Sequence, residues 1–272
     1  MTLVVSWIGK DSHGYSSAYI ASDSRISWPN TDNTDKTDKY DSCRKTYFSK
    51  RFPDIVGYCG DVLFPTLVLQ SIFELIDLGL LINNNATCSE RFDTFRKKLT
   101  EEISKYPPTR TSGSFEIIYV AHETEKGYPN FKAYTIKWKK GRKIEFKELQ
   151  LPSESNLIYV MGSGTTCFKK HYSKYIKDKI STTRFIFHSF IISLENMTDP
   201  YCGGAPQLVG IYRKPGKGAF SYGIIHNDER YYNGMRINNC TEINEIEWRN
   251  KYFEICDGKT KKRKANATIQ CY

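Results

Sequence analysis

The sequence lacks any apolar stretch that could cross a membrane. Its longest apolar run, from Leu75 to Ile82, contains Asp77 and is far shorter than the roughly 20 residues of a transmembrane helix. The first residues, MTLVVSWIGKDSHG, also lack the basic start and the small-residue cleavage site of a signal peptide. We therefore expect a cytoplasmic chain that has no membrane partner.

Metal-binding and redox motifs are missing as well. None of the eight cysteines lies in a C-x-x-C pair, and the sequence contains no H-E-x-x-H segment. A reducing compartment favours free, mostly buried thiols over disulfides. The sequence therefore predicts neither a metal site nor a cofactor.

An acidic excess is also absent, because 40 basic residues against 30 acidic ones give a net charge of +10. Basic residues form local clusters within residues 137–147, 169–179 and 259–264. Such charge could attract a polyanion, but no helix-turn-helix, zinc-finger or aromatic RNA-binding signature accompanies the clusters. The sequence therefore does not favour a nucleic-acid partner, and the clusters indicate solvated or partner-facing surfaces.

The hydrophobic periodicity predicts blocks of strands that alternate with pairs of helices. The predicted strands span residues 3–8, 19–22, 44–49, 54–59, 115–121, 132–138, 143–149, 157–161, 207–212 and 221–225. Helices are predicted from about Pro65, over Ser89–Lys105, and over residues 167–178 and 183–196. This order predicts an α+β fold, a four-layer αββα sandwich in which two stacked antiparallel sheets carry helices on both outer faces.

A serine or cysteine nucleophile with a histidine partner is not evident. The five histidines lie in no triad motif, and the sequence has no G-x-S-x-G elbow. The alternative is a nucleophile that carries its own base. The α-amine of an N-terminal threonine has a pKa of about 7.7 to 8.0 and can accept the hydroxyl proton. Thr2 becomes such a residue once Met1 has been removed.

Several segments strengthen this hypothesis through a resemblance. Six segments resemble the motifs of proteasome β-type subunits and of the related bacterial proteasome-like peptidases. In chain order they are TLVVSW, ASDSR, RKTYFS, GYCGDV, MGSGTT and TDPYCGG. These proteins are N-terminal-nucleophile (Ntn) hydrolases. The similarity runs from Thr2 to about Ile225. It implies a proteasome-like Ntn-hydrolase domain over residues 1–227. The resemblance does not explain residues 228–272, which we expect to be a C-terminal extension with a basic tail.

The resemblance also implies a set of catalytic residues. Lys45 would lower the pKa of the amine on Thr2, and Asp23 would balance the charge of the lysine. The backbone N–H of Gly60 would stabilise the oxyanion, and Cys202 stands where the family usually has serine. The full implied set is Thr2, Asp23, Lys45, Gly60, Ser163, Asp199 and Cys202.

The implied substrate-binding positions are Ile26, Ser27, Cys43 and Tyr58. The apolar and aromatic residues among them predict cleavage after uncharged residues. The resemblance as a whole predicts a threonine-type endopeptidase that acts on peptides or unfolded proteins inside a ring-shaped homo-oligomer, served by a partner ATPase.

Two alternative functions stay open. The long loops, the cysteine at position 202 and the C-terminal extension would fit a non-catalytic proteasome-like scaffold or interaction protein. An Ntn amidohydrolase that acts on a small-molecule amide would also fit, because one fold can host several activities.

Overall fold

The computed structural model describes residues 2–28, 38–107, 113–125, 128–176, 181–214 and 218–267, so that Met1 and the last residues of the predicted extension lie outside the described part. Its architecture is mixed α+β with several antiparallel sheets. The helices in the described residues are α1 (Leu63–Asp77), α2 (Cys88–Lys105), α3 (Thr165–Ile176) and α4 (Thr183–Glu195).

The strands follow one another in two long series, one before and one after the helices α3 and α4. The first series is β1 (Val4–Asp11), β2 (Gly14–Ser22), β3 (Ile26–Trp28), β4 (Asp38–Tyr40), β5 (Thr46–Phe48), β6 (Asp54–Gly60), β7 (Ser114–Glu125), β8 (Tyr128–Lys139), β9 (Glu145–Leu149) and β10 (Asn156–Met161). The second series is β11 (Gln207–Tyr212), β12 (Phe220–Ser221), β13 (Gly223–His226), β14 (Glu229–Tyr232), β15 (Met235–Arg236), β16 (Trp248–Arg249) and β17 (Ile255–Cys256).

The first sheet has the strand order β10-β1-β2-β11-β12, and all its pairings are antiparallel. The segment VVSWI begins β1, since β-branched and aromatic residues suit a buried strand. The predicted hairpin of β1 and β2 is confirmed, and Val4 pairs with Ser22 at its open end. The residue before β1 therefore lies beside the residue after β2.

The second sheet has the order β5-β6-β7-β8-β9 and is also antiparallel. Lys45 directly precedes β5, and Gly60 ends β6. A third sheet, β15-β14-β13-β16-β17, includes one parallel pair between β13 and β16. The hydrophobic pattern did not predict the strands of this sheet beyond residue 225, because they are only two to four residues long.

Alternating side chains of β1 join different hydrophobic clusters. Leu3, Val5 and Trp7 lie in a cluster with buried residues of α3 and α4, whereas Val4 and Ile8 lie in a cluster with buried residues of the second sheet. The period of two along a strand explains this division. A separate cluster joins α1 and α2 to the second sheet. Both faces of the first six residues of β1 are therefore buried, which accounts for the mostly apolar sequence at the start of the strand.

The N-terminus of α2 is fixed by Thr87, two residues before the predicted start of the helix at Ser89. The Thr87 side chain accepts a hydrogen bond from the backbone N–H of Glu90, whose carboxylate accepts one from the Thr87 backbone N–H at 2.8 Å. This reciprocal capping box satisfies two N–H groups that would otherwise lack partners. The spacing T-x-x-E therefore sets the first turn of the helix.

Candidate active site

The hairpin of β1 and β2 brings Thr2 and Asp23 into contact. Thr2 Oγ1 donates a hydrogen bond to Asp23 Oδ1 at 2.8 Å, and the backbone N–H of Leu3 donates to the same oxygen at 3.1 Å. The backbone N–H of Asp23 in turn donates to the Leu3 carbonyl at 3.3 Å. Both residues are almost fully buried. Two residues 21 positions apart are thus held side by side by strand register.

Lys45 extends from the second sheet to this pair. Its Nζ donates hydrogen bonds to Thr2 Oγ1, to Asp23 Oδ1 at 3.0 Å and to the Arg25 carbonyl at 2.6 Å. Only 1% of Lys45 is exposed. A buried ammonium is costly unless it is paired and fully hydrogen-bonded. The three acceptors meet that requirement and direct the charge at the threonine hydroxyl.

The second carboxylate oxygen of Asp23 is held by the backbone. Asp23 Oδ2 accepts hydrogen bonds from the N–H of Gly203 at 3.0 Å and of Arg25 at 3.3 Å. Backbone donors of this kind supply the hydrogen bonds that a buried carboxylate oxygen requires. They also fix its plane, so that Oδ1 stays directed at Thr2 and Lys45.

Ser163, Asp199 and Cys202 form a second group beside the first. Cys202 Sγ lies 3.4 Å from Asp199 Oδ2 and 3.5 Å from Ser163 Oγ. Burial raises the pKa of the Cys202 thiol to about 12, so the thiol stays protonated. Burial acts to raise the pKa of Asp199 too, but hydrogen bonds from Ser163 and the Tyr201 backbone outweigh it and lower that pKa overall.

Backbone contacts join the second group to the threonine. The N–H of Gly164 donates a hydrogen bond to the Thr2 carbonyl at 3.2 Å. A Cβ atom on Gly164 would lie 3.1 Å from Cys202 Sγ. Two predicted catalytic residues, Asp23 and Lys45, therefore contact Thr2 directly. Three others, Ser163, Asp199 and Cys202, form a group that is joined to Thr2 through the turn at Gly164. The catalytic roles of all five stay predictions.

Gly60 borders a cavity of about 370 Å³ that also reaches Gly162. Gly60 has φ +98°, and a Cβ there would overlap the Ser114 carbonyl. Gly162 has φ +94°, and a Cβ there would overlap the carbonyl oxygen of Thr2. Both positions thus require glycine for conformation and for space. The role of the Gly60 N–H as an oxyanion donor stays a prediction.

Two of the four predicted substrate-binding residues contact each other. Cys43 and Tyr58 are buried, with Cys43 Sγ 3.6 Å from the Tyr58 hydroxyl. That hydroxyl also lies 2.9 Å from Thr66 Oγ1. Ile26 and Ser27 are half-buried and lie on β3. The assignment of all four to substrate binding stays a prediction.

Two further residues support the site, and the sequence motifs did not identify them as functional. Arg25 binds Asp41 through two hydrogen bonds, of 2.7 and 2.8 Å, and donates to the Cys202 carbonyl at 3.2 Å. Gln207 accepts from the Lys45 backbone N–H at 3.0 Å and donates to the carbonyl of Asp23 at 3.2 Å. The signal in the sequence was a polar glutamine at the start of an otherwise apolar strand.

The described residues contain no cluster of three or more His, Cys, Asp or Glu side chains that could hold a metal ion. In the same part of the chain, no helix is long and apolar enough to cross a membrane.

The fold is similar to that of a solved protein. Anbu (ancestral beta-subunit) from Yersinia bercovieri superposes with a TM-score of 0.50 at 10% sequence identity, over 81% of this chain and 86% of that one. No protein-family model matches the sequence, and no curated protein matches it. At this identity the likeness concerns the fold alone.

The family assignment that the sequence motifs implied is wrong. Those motifs pointed to proteasome β-type subunits and bacterial proteasome-like Ntn hydrolases, but no family model matches this chain. The motifs are short, and segments such as G-S-G arise wherever a turn requires glycine, so they carry little family information. What the comparison supports is a fold similar to that of Anbu.

Proposed function

We propose that the chain is a threonine-type endopeptidase whose nucleophile is the Thr2 hydroxyl, activated when cleavage after residue 1 frees the α-amine. The observation that carries the proposal is the convergence of Lys45 Nζ and Asp23 Oδ1 on Thr2 Oγ1 in a buried setting. An ammonium beside a hydroxyl favours the deprotonated, nucleophilic form of that hydroxyl. Asp23 balances the charge that this arrangement buries.

In the proposed reaction, Thr2 Oγ1 forms a bond to the peptide carbonyl carbon while its proton passes to the α-amine. The amine gives that proton to the leaving nitrogen as the C–N bond breaks, which leaves a peptidyl ester on Thr2. Water, deprotonated by the same amine, then hydrolyses the ester. The nearby charge of Lys45 disfavours protonation of the amine and so keeps it available as a base.

The other predicted residues take supporting roles in this proposal. The N–H of Gly60 stabilises the oxyanion, a contribution that is typically about 2.7–4 kcal/mol. Support comes from the cavity that Gly60 shares with Gly162, which abuts the Thr2 carbonyl. Ser163 and Asp199 hold the amine and relay protons, in line with the bond from Ser163 that lowers the pKa of Asp199 despite burial.

The proposed layer order is helices, sheet, sheet, helices, with residues 228–272 as an extension of the domain over residues 1–227. Support for the layers comes from the three hydrophobic clusters, which join each helix pair to one sheet and the two sheets to each other. Support for a docked extension comes from Phe253, whose ring lies 5.4 Å from that of Tyr19 and 5.2 Å from that of Phe187.

The proposed active form is a ring-shaped homo-oligomer in the cytoplasm, fed by a partner ATPase. Two leucines on α1, Leu63 and Leu67, support an interface because they are 54% and 57% exposed and lie one helical turn apart. Trp28 and Tyr40 on the paired strands β3 and β4 are about half exposed as well. Light scattering of the purified chain tests this, and a monomer at micromolar concentration would contradict it.

The variants Thr2→Ala and Thr2→Ser test the proposed chemistry on a panel of fluorogenic peptides. Thr2→Ala should lower kcat by at least about 10³-fold, as removal of a catalytic nucleophile does. Thr2→Ser should retain measurable activity, since it keeps a hydroxyl at the same position. Full activity of a well-folded Thr2→Ala protein would overturn the proposal.

A non-catalytic scaffold is the second candidate function. One observation favours it: the protein groups around Asp23 and Lys45 already supply partners to both charges, as in a purely structural buried ion pair. A scaffold would keep its assembly state and partner binding in Thr2→Ala and would cleave no peptide. Cleavage of acyl amides but not of peptides would instead select a small-molecule amidohydrolase.

A further inference from the structure

The cavity beside Gly60 and Gly162 is close to the candidate nucleophile. Gly162, which lines the cavity, abuts the Thr2 carbonyl. The volume of about 370 Å³ lies within the usual range of ligand pockets. A peptide whose carbonyl is attacked by Thr2 would therefore place a neighbouring residue at this cavity.

The charged lining of the cavity is mostly basic. The basic lining residues are Lys137, Lys139, Arg142 and Lys143, and the acidic ones are Glu116 and Glu145. Lys137 forms an ion pair with Glu116 at 2.8 Å and a hydrogen bond with the Tyr159 hydroxyl. Among the described residues, no ion pair engages the other three basic side chains. An excess of positive charge thus remains available to a ligand.

One wall of the cavity is aromatic. The rings of Phe115 and Trp138 stack with centroids 5.4 Å apart, and both residues line the cavity. Such a wall can contact the methylene groups of a short side chain while its end meets the cations. An apolar wall next to unpaired cations matches an aliphatic carboxylate.

We propose that this cavity is a recognition pocket that binds a carboxylate of the substrate and so directs the chain to acidic peptides. The proposal rests on the proposed endopeptidase function and gives its substrate class. The pocket is separate from Ile26, Ser27, Cys43 and Tyr58, so an acidic residue here is compatible with cleavage after an uncharged one. It also assigns a role to the first of the basic clusters in the sequence.

The first test measures peptide binding to the Thr2→Ala protein, so that no catalysis is needed. Three fluorescent peptides are compared by anisotropy: one with internal Asp and Glu and an amidated C-terminus, one neutral with a free C-terminus, and one neutral and amidated. At least one carboxylate peptide should bind about tenfold more tightly than the neutral amidated peptide at low salt. Which of the two does so identifies a side-chain or a terminal carboxylate.

Charge reversal locates the binding. Lys139→Glu/Lys143→Glu should abolish the preference, whereas the matched control Lys262→Glu/Lys264→Glu should keep it, because these exposed lysines lie in the C-terminal region. Equal affinity for all three peptides would overturn the proposal. An equal loss in the control would also overturn it, since the net charge of the chain would then explain the preference.

Cleavage by the processed protein with Thr2 intact separates the two proposals. If acidic peptides bind at the pocket but none is cleaved, the recognition pocket stands and the endopeptidase function is wrong. If peptides are cleaved with equal kcat/KM whatever their charge, the endopeptidase stands and the pocket is wrong. In the expected case, kcat/KM for acidic peptides is about tenfold lower in Lys139→Glu/Lys143→Glu than in the unsubstituted protein. In the unsubstituted protein, kcat/KM for acidic peptides should also fall as salt is added.

Discussion

Replacement of Asp23 by asparagine should destabilise the protein strongly. Asp23 Oδ1 accepts from Thr2 and from Lys45 Nζ, and Oδ2 accepts from the N–H groups of Arg25 and Gly203. An asparagine side chain has one oxygen and one NH₂ group, so its NH₂ group would face donors, either those of Thr2 and Lys45 or the backbone N–H groups of Arg25 and Gly203. The substitution also leaves the charge of Lys45 buried without a counter-ion. Breaking a buried ion pair in this way typically costs about 3–5 kcal/mol.

Removal of the lysine charge should cost less. In Lys45→Met, Asp23 keeps its hydrogen bonds from the Thr2 hydroxyl and from three backbone N–H groups, which stabilise a carboxylate. We expect a loss of about 1–3 kcal/mol. The double variant Asp23→Asn/Lys45→Met should be more stable than Asp23→Asn alone, because no uncompensated charge remains.

Urea unfolding at pH 7, followed by intrinsic fluorescence, measures all four proteins. The predicted order of unfolding free energy is wild type, then Lys45→Met, with Asp23→Asn lowest and the double variant above it. A loss below about 1 kcal/mol in Asp23→Asn would refute the reasoning, since an exposed pair behaves that way. A double variant no more stable than Asp23→Asn would refute it as well.

Three other tests, two of them with a matched control substitution, address separate features of the structure. Gly162→Ala should lower the free energy of unfolding by more than about 2 kcal/mol and abolish the proposed peptide cleavage, because its methyl group would overlap a backbone carbonyl. Gly14→Ala, with a similar φ but open space around it, should lower the free energy of unfolding by only about 1–2 kcal/mol, and urea unfolding compares the two. Burial lowers the pKa of His122 to about 4, so the unfolded chain binds the extra proton and stability should fall as pH drops from about 6.5 to about 4. His122→Phe should flatten that dependence in pH-dependent melting, and an unchanged slope would contradict it. Thr87→Ala should cost about 0.5–2 kcal/mol and Ser89→Ala less, and the reverse order in thermal melting would show that the capping box is misassigned.

Local patterns predicted the parts of the fold that depend on neighbouring residues. The hairpin of β1 and β2 and the amphipathic helices α1, α2 and α4 follow from periodicity over short windows. The predicted ends of the elements were less accurate. The helix α2 was predicted from Ser89 but is capped at Thr87, because the position of a cap depends on side-chain hydrogen bonds. The short strands after Ile225 have no periodic signal, so only their packing reveals them.

The candidate site was predictable in part, for a different reason. Thr2, Asp23 and Lys45 were proposed through motifs. The register of β1 and β2 brings Thr2 and Asp23 together, and Lys45 reaches them from the second sheet. Arg25 and Gln207 were missed because their roles come from contacts with residues far along the chain. The family assignment failed because short motifs do not define a family, whereas the similarity in fold to Anbu appears only at the level of structure.

The most direct measurement is mass spectrometry of the N-terminus after treatment with a peptide epoxyketone. Such a reagent reacts with both the hydroxyl and the free α-amine of an N-terminal threonine. The proposed mechanism predicts loss of residue 1 and a single adduct on Thr2, absent in Thr2→Ala and reduced in Lys45→Met. A preparation that cleaves peptides with residue 1 still attached and Thr2 unmodified would contradict it.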